Sequence, residues 1–204
     1  MKVGTKSVLF GAHCLLVHPI VVGIAWRKLW GIPWDPRLWF AFVLHDAGYF
    51  SKPNLEGEEG ERHVELGARI MTYLFGSEWG DLCAGHSRHW AKRCGRPVSR
   101  LCFADKLAFV LTPDWLYLLM TRATGELHEY MQKSRDRQAG TACFTAEESA
   151  CLASSDPATW LKGLKSYTLR WIAAHLDGRE DRWTPLTATS RPIDTPSSAT
   201  AAAK

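Results

Sequence analysis

No two of the six cysteines in this chain, at positions 14, 83, 94, 102, 143 and 151, are spaced as a CxxC pair. That absence removes the thiolate-zinc and dithiol motifs, and the irregular spacing gives no disulfide framework. Cys14 and Cys102 sit inside apolar stretches, as reduced core thiols do, so a reduced, cytoplasmic protein is expected. Charge of one sign is also scarce. The net charge is +4 and the pI about 8.8, and no run of five like charges occurs. This mild excess suits a small anionic partner, and no specific nucleic-acid binding is expected from it. Between Ser7 and Trp26 there is no Asp, Glu, Lys or Arg. The run approaches the length of a membrane span. His13, His18 and Pro19 interrupt it, however, and no convincing small-residue cleavage site accompanies it. A buried helix pair is expected there, and membrane association is not.

Internal repeats and strand-like alternation are absent too, and what remains is helical. Apolar residues make up 46% of the 204 positions, enough for one domain with a real core. Residues 19–30 are apolar between Pro19 and Gly31, and Asp35 is a plausible cap for a helix from Pro36 to Asp46. Further helices are expected over 58–75, 78–93, 98–111, 115–131, 145–153 and 157–176, with Asp156-Pro157 starting the last. The expected fold is all-α, a compact multi-helix bundle over residues 1–178. Residues 179–204 are expected to form a disordered tail, because from Thr184 onward Thr, Ser, Pro and Ala dominate and no aromatic residue occurs. Ten Trp residues imply large aromatic anchors, with Trp26, Trp39 and Trp171 expected in the core.

His45-Asp46 is the most informative pair. It ends the apolar run Leu38–Leu44 without helping that run to pack, and a buried carboxylate is costly unless paired or metal-bound. Asp105 is likewise embedded among Leu101, Cys102, Phe103, Ala104, Leu107 and Ala108. His18 stands at the mouth of its helix, His63 lies between, and His86 and His89 are spaced to share one helix face. Imidazoles and carboxylates without nearby thiolates suit a hard or borderline divalent ion held between helices. His13 and His18 are alternatives for the first ligand.

The order His, His-Asp, His, His, Asp over successive helices resembles the HD superfamily of metal-dependent phosphohydrolases. LHDAGYF (residues 44–50) looks like the apolar-HD-x-G segment of that family. ERHVELGARIM (61–71) resembles the His-x-x-x-Gly-Ala helix of its binuclear members, and RLCFADKLAF (100–109) the helix that closes the motif with Asp. The likeness spans residues 13 to 111. Two departures stand out: Tyr49 replaces the Lys that many relatives carry after HD-x-G, and SRHWAKRCGRP (87–97) contains no GYP triplet. Hydrolysis of a cyclic dinucleotide is therefore not implied.

The resemblance implies two divalent ions (Mn, Fe, Co, Ni or Mg), about 3.5–4 Å apart in two-metal hydrolases. Asp46 would be the shared ligand. His18, His45 and Asp105 would complete one ion, and His63 and His86 the other. A metal-activated water would attack phosphorus, giving a phosphomonoesterase, phosphodiesterase or nucleotide phosphohydrolase. Asp46 and His89 are the expected catalytic residues, His89 as a third ligand on its helix, a proton donor to the leaving group or a partner supporting a ligand. Arg62, Arg88 and Lys92 are expected to hold a small phosphate-containing substrate, with Trp90 stacking on a nucleobase. Lys52, Arg93, Arg96 and Lys106 are further basic candidates. The same resemblance also leaves a di-iron oxygenase and a non-catalytic nucleotide sensor as alternatives.

Overall fold

The computed structural model describes residues 1–55, 57–138 and 143–184. Most of the expected tail, from residue 185 on, lies outside the described residues. Proline and capping side chains decide where the helices begin. The Asp35 carboxylate accepts from the Arg37 amide ahead of α3 (Pro36–Leu44), and Asp156 accepts from Thr159 ahead of α12 (Pro157–His175). Thr145 and Glu148 form a reciprocal capping box at α11 (Ala146–Ala153). Pro19 occupies the second position of α2 (His18–Trp30), where its missing amide hydrogen costs nothing.

The other helices are α1 (Val3–Phe10), α4 (Gly57–Glu61), α5 (Val64–Phe75), α6 (Ser77–Ala84), α7 (Arg88–Arg93), α8 (Arg100–Leu111), α9 (Asp114–Thr124) and α10 (Glu126–Gln138). A short 3-10 turn covers Ala47–Tyr49. No strand occurs among the described residues, so the all-α expectation holds. No helix among them is long and apolar enough to cross a membrane; the uncharged N-terminal stretch divides between α1 and α2. All six cysteines are free, and burial pushes the Cys83 and Cys102 thiols up to about 12.

Two apolar cores lie on either side of α8. Val22, Trp26, Phe42, Met71, Leu101 and Ala104 build the first from α2, α3, α5 and α8. Tyr117, Leu127, Met131, Leu152, Trp160 and Leu161 build the second from α9 to α12. Cys102 and Phe103 on α8 meet Trp171 and Ile172 on α12, which joins the halves. Because α8 carries Asp105 and contacts both halves, the Asp is fixed where the two cores meet.

Five sequence expectations change. The helix expected over 78–93 breaks: Gly85 caps α6, and the Ser87 hydroxyl accepts from the Trp90 amide to start α7. His86 therefore sits in the break and His89 on a new helix, so they do not share a face. The helix expected over 115–131 is split by Gly125, whose φ of 88° few other residues adopt. The helix over 58–75 is interrupted before Val64, which places His63 in a junction. Finally, the domain extends past residue 178. Arg88 pairs with Asp181 at 2.9 Å, and Trp183 packs against Tyr167 and His175. Trp39, expected in the core, is 43% exposed, with its indole N–H donating to the Pro33 carbonyl.

Candidate metal centre

Five of the six expected ligands come from helix ends or junctions, and the sixth, Asp105, from the middle of α8. His18 opens α2. His45 caps α3, with Asp46 next to it. His63 joins α4 to α5, and His86 follows α6. All six are buried, with none more than 9% exposed.

Three of the imidazoles share one local device. The ring Nδ1 of His45 bonds the Phe42 carbonyl at 3.0 Å, that of His63 the Gly60 carbonyl at 2.7 Å, and that of His86 the Cys83 carbonyl at 2.6 Å. A carbonyl oxygen only accepts, so Nδ1 carries the hydrogen in each case. In the neutral ring Nε2 is then a bare lone pair. These Nε2 atoms meet other ring nitrogens. His18 and His45 bring their Nε2 atoms to 3.2 Å, and His63 and His86 bring theirs to 3.0 Å.

Asp46 lies between the two pairs. Its Oδ2 is 2.9 Å from His45 Nε2 and 3.4 Å from His18 Nε2, while its Oδ1 is 3.3 Å from His86 Nε2 and 3.8 Å from His63 Nε2. Asp105 Oδ1 closes the first group, 3.0 Å from His18 Nε2. The residues thus form two groups able to hold a metal ion, His18–His45–Asp46–Asp105 and Asp46–His63–His86, with Asp46 common to both. His13 is not part of either. Its Nδ1 instead meets the Ser7 hydroxyl at 2.7 Å and faces Glu126 at 3.8 Å, so His18 and not His13 belongs to the candidate group.

Lone pairs and carboxylate oxygens packed this closely repel one another unless a cation lies among them. Two observations agree. With the rings neutral, the buried Asp46 Oδ2 has no hydrogen-bond donor. Burial disfavours a charged His45, but Asp46 overrides it and raises the imidazolium pKa to about 10. Burial also works against ionised Asp105, yet Lys106 and His18 hold its carboxyl well below the usual range. His63 moves the other way: burial and the neighbouring His86 keep it neutral, ready to coordinate. The nearby Cys83 thiol stays protonated. Buried nitrogens and oxygens without thiolate fit a hard or borderline divalent ion.

The turn after Asp46 explains the motif around it. A Cβ on Gly48 would lie 1.8 Å from the His63 carbonyl oxygen, and one on Gly67 would lie 2.3 Å from the Leu44 carbonyl oxygen. Only glycine lets these backbones approach. Tyr49 stacks flat on the His63 ring, 4.0 Å between centroids. The residue at which the resemblance breaks down thus holds the ring of a candidate ligand.

A cavity of about 250 Å³ opens beside His18, Asp105 and Tyr49. Of the expected substrate residues, only Arg88 lines it, and that guanidinium is engaged with Asp181 and the Tyr167 hydroxyl. Lys92 donates to the Asp181 backbone carbonyl, and Arg62 is exposed and paired with Glu65. Arg96 pairs with Asp81. Trp90 and His89 do not line the cavity; His89 faces Glu61 at 3.6 Å. Neither the base-stacking nor the leaving-group role is supported by these positions. Sequence reasoning missed Lys133, which lines the cavity from α10, beyond the expected helix end at 131. It also left Lys106 open: adjacent to Asp105, the side chain bends back to its Oδ2 at 2.7 Å and lines the cavity. Comparison with protein-family models, curated proteins and solved structures gives no match to this chain.

Proposed function

We propose that this protein is a divalent-metal-dependent phosphohydrolase of the HD type with a two-ion site. The observation that carries the reading is the convergence of four imidazole nitrogens on two buried carboxylates, one of which faces both groups with different oxygens. Two such ions would lower the pKa of a bound water towards neutrality and neutralise phosphoryl charge.

The chain's own residues supply the rest. Asp46 sets the spacing of the two positions, and the backbone bonds to His45, His63 and His86 fix each ring and its tautomer. Lys106 and Lys133 line the cavity and can hold phosphoryl oxygens. Its aromatic and aliphatic walls lower the local dielectric, which strengthens charge–charge contacts beside them. In hydrolysis the ester P–O bond breaks, the water oxygen bonds to phosphorus, and the departing alkoxide takes up a proton.

The test is elemental analysis of untagged protein, followed by phosphomonoester hydrolysis with added Mn2+. About two equivalents of bound metal, and activity lost in Asp46→Asn, are expected. Unchanged turnover in Asp46→Asn would refute the site. Tightly bound iron with substrate-dependent oxygen uptake would move the assignment to the oxygenase class.

A further inference from the structure

The cavity changes chemistry as it leaves the metal ligands. Along α8, Asp105, Phe109 and Thr112 line it in turn, a spacing of seven residues, or about 10 Å at the helical rise. At the Asp105 end stand His18 and Lys106. Beyond it the walls are Phe109, Tyr117 and Met120, closed by Trp160 and Leu164 of α12.

Four hydroxyls of the lining are turned back into the protein, while Lys133, Arg88 and the Trp160 indole also stand along it. Thr112, Ser134 and Thr168 each donate their hydroxyl hydrogen to a carbonyl four residues earlier in their own helix. The Tyr130 hydroxyl donates to Glu126. Among the described residues, no Asn, Gln or Glu lines the cavity, and Asp105 is its sole carboxylate. The edge of a nucleobase is commonly read by amide and carboxylate side chains, and a lining whose only such group is Asp105 offers it few partners. An apolar group gains from every contact.

We infer that the substrate is a phosphomonoester of a compact aromatic or aliphatic alcohol, its phosphate at the ion pair and Lys106, its apolar group among Phe109, Met120, Trp160 and Leu164. The inference rests on the phosphohydrolase reading for its chemistry and on the cavity wall for its selectivity. The reaction returns the free alcohol and inorganic phosphate, with one water consumed.

The experiment pairs binding with turnover on the full chain. Calorimetry compares 1-naphthyl phosphonate with methyl phosphonate, with and without Mn2+. Hydrolysis compares 1-naphthyl phosphate with glycerol 2-phosphate and adenosine 5′-monophosphate. The expected result is a preference of at least about tenfold for the naphthyl compounds in affinity and in kcat/KM. Leu164→Gln should erase that preference while leaving metal content unchanged, and Met120→Gln serves the same purpose if Leu164→Gln does not fold. Equal affinity for the two phosphonates, or faster hydrolysis of the nucleotide, overturns the inference and leaves the phosphohydrolase reading standing. Selective phosphonate binding without hydrolysis of any ester supports the apolar lobe and refutes the phosphohydrolase reading.

Discussion

On the proposed two-ion reading, Gly48→Ala separates the two candidate metal positions. The added methyl would fall 1.8 Å from the His63 carbonyl oxygen, 2.6 Å from its carbon and 2.9 Å from its Cα. All three are backbone atoms, so no rotamer change relieves the contact. Reaching even 3.0 Å from the oxygen requires the 3-10 turn and the α4–α5 junction to part by more than 1 Å. Gly48 is not among the residues with positive φ, so space and not dihedral strain is the whole objection to alanine. Forced overpacking typically costs about 1–3 kcal/mol, against which a stiffer unfolded chain returns about 0.4–1 kcal/mol. A Tm lowered by roughly 2–8 °C is expected for a domain of this size. The shift moves His63 away from His86, whose Nε2 is now 3.0 Å distant, and leaves His18, His45 and Asp105 in place. Bound metal, measured by mass spectrometry after dialysis, should fall from two equivalents to one. A useful control is Gly76→Ala, where φ is 96° and nothing lies within 4 Å. It should lower Tm without changing metal content. Two equivalents retained in Gly48→Ala would refute the argument that this glycine seats the second position.

Proton release gives a second handle. His45 holds its proton to about pH 10 because of Asp46, so a metal ion must displace it. Apparent affinity should climb by about tenfold per pH unit above neutrality, and titration in weak buffer should release acid. Since the folded pKa lies above the ordinary 6.5, the metal-free protein keeps this contribution to stability below pH 6.5 and loses it as pH rises through about 10. A metal-free Tm that does not fall between pH 7 and 10 would contradict this. Asp181→Ala leaves the largely buried Arg88 without its carboxylate, and on the order of 3 kcal/mol should be lost in urea unfolding. A change under about 0.5 kcal/mol would show that the guanidinium finds water instead. Chelation should lower Tm in wild type but not in Asp46→Asn, a gap of about 2.7 kcal/mol at metal one hundred times its Kd.

The clustered His and Asp residues were legible because their chemistry resists burial. A His-Asp pair ending an apolar run, and an Asp inside an apolar stripe, have few roles other than ionic ones. The helix breaks were harder, although their signals were present. Gly85 and Ser87 interrupt the apolar pattern for only three residues, too briefly to disturb a periodicity read over sixteen. Gly125 was passed over in the same way, which hid Lys133. Choosing between His13 and His18 needed the third dimension, since both lie in the turn-rich approach to α2 and only one ring reaches Asp105. The segment around Asp181 looked like tail because its neighbours are polar. Its anchor is Arg88, 93 residues away in sequence.

Helices α3 and α6 both end at the ligand groups, and the carbonyls of Phe42 and Cys83, which hold His45 and His86, belong to their last turns. Each such end carries about half a negative charge, so the backbone field draws cations before any side chain coordinates. The α2 end beside His18 has the opposite sign, and there the fold adds a second carboxylate, Asp105. The two positions therefore differ in electrostatic depth as well as in ligands. On the two-ion reading proposed above, the group holding both carboxylates would fill first, and its ion would lessen the pull of Asp46 on the second, so that loading is stepwise and limiting metal gives a one-ion species.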